Sequence, residues 1–229
     1  MTRVRAYIGL GANLGDAEAT LVAAVRALAA LPGVRLAGVS RLYATAPVGR
    51  DDQPEFRNAA VAIDVPPGPD PPTGALALLA ALKAIERAFG RRPRERWGPR
   101  ELDLDLLVFG RSRLAIERPD PALSVDVPVD PAKATRLLEV PHPEAHSRLF
   151  VLAPLADLAP DLVPPGWPER IAEARDRRRH DEQPKAVVPI GEWDARRRAW
   201  RAGESGSRPD GAPARADGRD PGGGGAPHA

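Results

Sequence analysis

The sequence predicts an α+β domain in which a sheet of short strands carries packed helices. Three observations support this. Segments 4–10, 34–43, 56–65 and 102–109 read as strands, and segments 16–31 and 73–89 carry apolar residues at helical spacing. Clusters of Pro and Gly separate them as turn signals. The resulting order, βαββαβ, is that of an α+β sandwich of the ferredoxin-like kind.

Each element has a local cause. Val4, Ala6, Ile8 and Leu10 alternate with Arg5, Tyr7 and Gly9, the period of a strand. Asp16 can cap a helix reaching about Leu31, with Leu21, Val25 and Leu28 as its buried stripe and Pro32-Gly33 as its stop. A second strand covers 34–43. The third, 56–65, sets Ala59, Val61, Ile63 and Val65 on one face and Phe56, Asn58, Ala60 and Ala62 on the other. After the Pro/Gly-rich loop 66–74, Thr73 opens a helix with stripe Leu78, Leu82, Ile85 and Phe89, closed by Gly90. The fourth strand is 102–109. The Pro-interrupted segment 111–137 reads as an arm or insertion.

Beyond residue 165 the composition shifts. Arg-Asp-Arg-Arg-Arg stands at 175–179, Arg-Arg-Arg at 196–198, and the end is rich in Gly, Pro, Asp and Arg. So little apolar surface should not offset the entropy of ordering the chain. The expectation is a folded unit of residues 1–165, burying roughly 70% of its unfolded surface, and a disordered tail of 166–229.

The composition narrows the function classes. With no cysteine, disulfides and thiolate metal sites are excluded. The 33 basic residues, all but three of them arginine, nearly balance 31 acidic ones, so the local density of arginine matters more than the total. The N-terminus runs straight into a strand pattern without a leader's apolar stretch, and the longest plain apolar run, 75–82, is too short to span a bilayer. A cytoplasmic protein without a membrane role is expected.

Four segments could carry chemistry. The most specific is 91–105, where Arg91, Arg92, Arg94, Arg96 and Arg100 form a basic loop leading into a strand. In that strand Asp103 and Asp105 share a face, roughly 7 Å apart at Cα, while Leu102, Leu104 and Leu106 point into the core. Such a pair can converge on hard cations, and the arginines can neutralise a polyphosphate. The second segment, Gly9-Leu10-Gly11-Ala12-Asn13-Leu14-Gly15-Asp16, has Leu14 where a dinucleotide fingerprint needs its third glycine. It reads better as a tight turn with a helix cap that could wall a site. The third, 43–58, places Phe56 beside Asn58, an aromatic plate and an amide suited to a flat heterocycle. The fourth, 140–150, holds His142 and His146 at helical spacing, but Pro143 breaks a helix between them. His142 and Arg148 as phosphate donors, with Phe150 as a second plate, is the better use.

Together these segments resemble one family, the 6-hydroxymethyl-7,8-dihydropterin pyrophosphokinases of folate biosynthesis. The resemblance rests on Tyr-Ile-Gly-Leu-Gly-Ala-Asn-Leu-Gly at 7–15, Gln-Pro-Glu-Phe-Arg-Asn-Ala-Ala at 53–60 and Arg-Trp-Gly-Pro-Arg-Glu-Leu-Asp-Leu-Asp at 96–105. Pro-His-Pro-Glu-Ala-His-Ser-Arg-Leu-Phe-Val-Leu at 141–152 completes it. It implies a three-layer αβα sandwich around an antiparallel sheet, and a monomeric enzyme that uses ATP and 6-hydroxymethyl-7,8-dihydropterin. Asp103 and Asp105 would hold two Mg²⁺. Arg91, Arg96 and Arg100 would contact the phosphates, with Arg94 rather than Arg92 as the second loop arginine. Lys83, Glu86, Trp97, Leu106, His142 and Arg148 would line the nucleotide side, and Arg136 is a further candidate. Thr45 and Val48 would meet the pterin through backbone, Asn58 through its amide, and Phe56 and Phe150 by stacking. The pterin alcohol would attack the β-phosphorus of ATP and release AMP.

Two other classes compete. A nucleic-acid binder needs basic residues interleaved with aromatics on an exposed sheet, and this chain has four Trp, two Tyr and four Phe in all. A catalytically dead ferredoxin-like regulatory module has no use for the paired carboxylates.

Overall fold

The computed structural model describes residues 2–46, 53–90, 98–120, 135–182 and 186–202. Strand β1 (Val4–Ala12) buries Ala6, Ile8 and Leu10, and helix α1 (Ala17–Ala29) follows it. The Asp16 carboxylate accepts from the Ala19 amide at 3.0 Å, and the expected stripe of Leu21, Val25 and Leu28 is buried. Where one strand was expected over 34–43 there are two, β2 (Arg35–Val39) and β3 (Leu42–Thr45). Both pair with the same neighbour, β4 (Phe56–Val65), one along its end and the other along its start.

The break has a physical reason at Ser40 and Arg41. The Ser40 hydroxyl accepts from the Ala60 amide at 2.8 Å, and the Arg41 amide turns away from the sheet to the Asp157 carboxylate at 3.1 Å. Helix α2 (Pro71–Ala88) begins two residues before Thr73. Asp70 is its cap, accepting from the Thr73 amide at 2.8 Å, and Pro71 stands in the first turn, where a missing N–H costs nothing. Strand β5 (Asp103–Phe109) pairs with β1.

All strand pairs are antiparallel. The main sheet runs β5-β1-β4-β3 with β2 also on β4, and two further strands extend it: β8 (Val187–Asp194) on β3, then β9 (Ala199–Ala202). Helices cover both faces. On one, α1 and α2 pack over Ile8, Val61, Ile63 and Leu104. On the other, α3 (Leu149–Leu158) and α4 (Ile171–Asp181) pack over Tyr7, Ala62 and Leu107. Within 111–137, strand β6 (Leu114–Glu117) pairs with β7 (Arg136–Val140), which runs on to residue 140, as a separate two-stranded sheet. None of the described helices is long and apolar enough to cross a membrane.

The disordered tail over 166–229 is corrected for 166–182 and 186–202. Helix α4 was hidden by its composition: only Ile171 and Ala174 are buried, too few for a stripe, while its arginines pair with Glu169, Asp181 and Glu182. Strands β8 and β9 join the main sheet, and the Trp200 indole, 5% exposed, donates to the Ser40 carbonyl at 2.8 Å. Trp193 meets the Trp200 ring edge-on at 4.8 Å between centroids. Residues 203–229 lie outside the described part.

Two predictions follow from the packing. Trp200→Ala should lower stability by about 3–5 kcal/mol, and a chain ending at residue 184 should melt well below the full chain. Equal melting temperatures for the two chains, measured by scanning calorimetry, would return 187–202 to the status of a tail. The second concerns Asp64, 9% exposed at its side chain, whose oxygens take Arg5 Nε at 2.5 Å and Arg35 Nη2 at 2.6 Å. Hydrogen bonds from these guanidiniums hold the carboxyl at about 2. A carboxyl held below its unfolded value stabilises the fold above about pH 4 and loses that contribution as pH falls toward the folded value. Both arginines are largely exposed, so the contribution is screened to about 1–2 kcal/mol. Asp64→Asn should lose that much at neutral pH and show a flatter decline between about pH 4 and 2 in urea titrations.

Candidate active site

Strand register builds the site. β1 pairs Gly11 with Asp103 of β5 on one side and with Asn58 of β4 on the other, and β4 pairs Asn58 with Tyr43 of β3. Directly paired residues share a face, so Asp103, Gly11, Asn58 and Tyr43 form one row. The row has no side chain at Gly11, and a Cβ built there would lie 3.1 Å from Asn58 Oδ1. The gap opens a cavity of about 120 Å³. Thr45, Ala46, Gln53, Phe56 and Asn58 line it toward β3 and β4, and Gly98, Arg100, Asp103 and Asp105 toward β5, with Arg148 and Phe150 contributed from the start of α3. A smaller recess under α3, lined by Gly9, Leu107, Val151 and Pro154, shares Asp103, Asp105 and Phe150 with it.

Hydrogen bonds fix each end. Asn58 Nδ2 donates to Thr45 Oγ1 at 2.9 Å and both residues are buried, so the amide oxygen faces the gap at Gly11. Arg100 is ion-paired with Asp103, and Arg148 with Glu144. The Arg148 guanidinium also stands 5.7 Å from the Phe150 ring centroid, within cation–π range.

His142 is not part of this lining, but it lies within electrostatic reach of Asp105, Arg148, Asp103 and Glu139. Burial lowers the pKa of its imidazole, opposed chiefly by Asp105. Its Nδ1 accepts from the Glu144 amide at 3.3 Å, leaving Nε2 as the donor of a neutral ring.

Not every residue singled out in the sequence lines the cavity. Lys83, Glu86 and Leu106 stand on the α2 side of β5, opposite the aspartates. Buried Glu86 accepts from the Leu104 amide at 2.8 Å and from Lys83 Nζ at 2.9 Å, holding the backbone between Asp103 and Asp105. Arg136 lies in β7, 3.9 Å from Glu139. Val48, Arg91, Arg92, Arg94, Arg96 and Trp97 lie outside the described residues.

The segment 9–16 is corrected in part. Gly9 and Gly11 belong to β1, held on both edges by β4 and β5, and the turn begins only at Asn13. Gly11 lines the cavity, in keeping with a segment 9–16 that could wall a site, and Gln53, to which the sequence reading assigned no individual role, lines it as well. The available signal for Gly11 was a glycine inside a strand pattern, which marks a close approach.

The donor set fits a particular kind of cation. Among the described residues no three His, Cys, Asp or Glu side chains gather as a ligand cage. Two carboxylates at an open cleft suit a hard ion that takes its other oxygens from a bound phosphate and from water.

The fold and cleft thus define an α+β protein with one end suited to anionic phosphate and the other to a flat ring. Residues 7–160 match the model of the 7,8-dihydro-6-hydroxymethylpterin-pyrophosphokinase (HPPK) family, and the chain belongs to that family. It is 42% identical over 171 residues to the 2-amino-4-hydroxy-6-hydroxymethyldihydropteridine pyrophosphokinase of Methylorubrum extorquens, covering 75% of this chain and 92% of that relative. The enzyme of the same name from Pseudomonas aeruginosa is 43% identical over 171 residues, 73% of this chain and 90% of its own. The fold resembles that of a Plasmodium falciparum HPPK-DHPS crystal structure with pterin and p-hydrobenzoate, at a TM-score of 0.62 and 14% identity. That match covers 90% of this chain and 50% of the longer one.

Proposed function

We propose that this chain transfers the pyrophosphoryl group of ATP to the hydroxymethyl oxygen of 6-hydroxymethyl-7,8-dihydropterin, giving AMP and the pterin diphosphate in folate biosynthesis. The relatives' names supply the reaction. The row Asn58–Gly11–Asp103 is the observation that carries it onto this chain.

Two strand spacings, roughly 10 Å, separate Asn58 on β4 from Asp103 on β5. A pterin laid along the row between Phe56 and Phe150 sets its pyrimidine edge against the Asn58 amide and the backbone at Thr45 and Val48. Its hydroxymethyl group then reaches the carboxylate end. The alcohol oxygen attacks the β-phosphorus of ATP in line. The bond from that phosphorus to the oxygen bridging the α-phosphate breaks, AMP leaves with that oxygen, and the alcohol proton passes to solvent. No side-chain nucleophile is needed, so positioning and charge carry the rate.

Asp103 and Asp105 are the proposed holders of Mg²⁺, two ions per site. Bound there, Mg²⁺ would supply neutralisation of the polyphosphate charge. Arg100 and Arg148, with Arg91, Arg94 and Arg96 of the preceding loop, bind the phosphate oxygens, and neutral His142 donates from Nε2. We assign the nucleotide base, with Trp97, to the α2 side of β5, where Lys83, Glu86 and Leu106 stand.

We read the order β5-β1-β4-β2 as a ferredoxin-like core that β3, β8 and β9 extend. In this reading residues 2–202 act as one monomeric catalytic unit in the cytoplasm, without nucleic acid or membrane. A nucleic-acid-binding sheet would need a bare face, and helices pack on both faces of this one.

Two expected outcomes test the reading. Chromatography of a reaction with Mg²⁺, ATP and the reduced pterin alcohol should show AMP and pterin diphosphate formed one for one, with essentially no AMP when the alcohol is left out. ADP as the product would overturn the proposal. Asp103→Ala or Asp105→Ala should lower turnover on the order of 10²-fold or more with little loss of stability, since these carboxylates face the cleft. Full turnover in either variant would remove the paired carboxylates from the mechanism.

A further inference from the structure

One buried polar side chain links the two ends of the cleft and touches neither substrate end itself. Asn13 follows β1 and is 3% exposed. It does not cap α1, because Asp16 does.

Its carboxamide is used at both termini. Oδ1 accepts from the Arg100 amide at 2.7 Å, while Nδ2 donates to the Pro54 carbonyl at 3.1 Å and to Gln53 Oε1 at 3.3 Å. The Asn13 amide adds a fourth bond, to the Arg100 carbonyl at 3.0 Å. These partners sit on two segments that lead into different strands. Gln53 and Pro54 lead into β4 and its Phe56 and Asn58. Arg100 leads into β5 and its Asp103 and Asp105.

We infer that Asn13 is a positioning residue that holds the ring-binding segment and the phosphate-binding segment in one frame, so that the acceptor oxygen meets the β-phosphorus in line. The inference rests on the function proposed above. Only an amide of this length serves both sides at once: aspartate keeps the acceptor but has no donor, and alanine has neither. A misplacement of about 1 Å between reacting groups can lower a rate on the order of 10²-fold without contact to the chemistry. A clamp at the base of the two segments acts on that distance.

Asn13→Ala and Asn13→Asp in the full chain, assayed beside the wild type, test this. The readouts are kcat per active site, the separate dissociation constants of pterin and of a non-hydrolysable Mg-ATP analogue by calorimetry, and the melting temperature. Calorimetric stoichiometry counts the folded sites, so a partly unfolded variant is still judged per site. Both variants should lose kcat on the order of 10²-fold and keep nucleotide affinity within about threefold. Asn13→Asp retains the bond to the Arg100 amide but turns a carboxylate toward the Pro54 and Gln53 oxygens. It should therefore also weaken pterin binding several-fold. An unchanged kcat per site with only a lowered melting temperature would make Asn13 a structural residue and overturn the inference. So would a loss confined to nucleotide affinity. A wild type that makes no AMP would instead remove the proposed function, and with it the reaction that Asn13 is inferred to serve.

Discussion

The structure depends on one strand being buried on both faces. β4 has eight successive buried residues, from Asn58 to Val65, and is paired along both edges. A strand buried in this way requires helices above and below it, and here α1 with α2 and α3 with α4 provide them. It also requires that every polar group it carries be satisfied, since an unpaired buried group costs about 1–3 kcal/mol. The two polar side chains on that stretch meet this demand differently. Asp64 at one end is neutralised by arginines from β1 and β2, which fixes the sheet. Asn58 at the other end satisfies its donor on Thr45 and turns its acceptor toward the gap at Gly11, where it lines the cavity.

The helix over that cavity is positioned by the break between β2 and β3. Asp157 near the end of α3 accepts from the Arg41 amide and guanidinium and from the Tyr43 hydroxyl at 2.9 Å. Burial, reinforced by the neighbouring Asp157 charge, raises the pKa of the Tyr43 phenol, so it stays protonated and keeps donating. These bonds anchor one end of α3, and Leu149 and Ala153 pack beside Tyr43 and Val187 at the other. Phe150 and Arg148, which open that helix, are thereby held over the cleft. Strand β8 belongs to the same support, because Val187 pairs with Thr45 at the edge of the cavity.

The sequence disclosed those parts of this arrangement whose cause is local. Strand alternation, the Asp16 cap and the Leu21, Val25, Leu28 stripe are properties of a few neighbouring residues, and they stand where expected. The i, i+2 pair Asp103 and Asp105 was visible for the same reason, as was the Phe56–Asn58 face. Features that depend on distant partners were not visible. The break at Ser40 needs Asp157 and Trp200, more than a hundred residues away, to explain it. Helix α4 and strands β8 and β9 look like tail because each buries very little of its own. They are ordered by surfaces that α3 and β3 present. Gly11 reads as part of a turn until its two strand partners are known, and then its missing side chain is what forms the cavity.

The geometry divides the work between elements that cannot drift and elements that can. Asn58, Gly11 and Asp103 are fixed by ladder hydrogen bonds at about 4.8 Å per strand, so the span between ring end and carboxylate end is set by the sheet. The two described arginines of the cleft, Arg100 and Arg148, stand instead on the segment leading into β5 and at the start of α3. Segments outside strands open at lower free energy than core strands; the anchoring of α3 through Asp157 counters this at Arg148, and Asn13 counters it at Arg100. Asn13 ties the segment at Arg100 to the one at Gln53 through its buried amide. The backbone of both segments is thereby referred to the same rigid row. Under the proposed function, that common frame lies where two reactants must be brought into line.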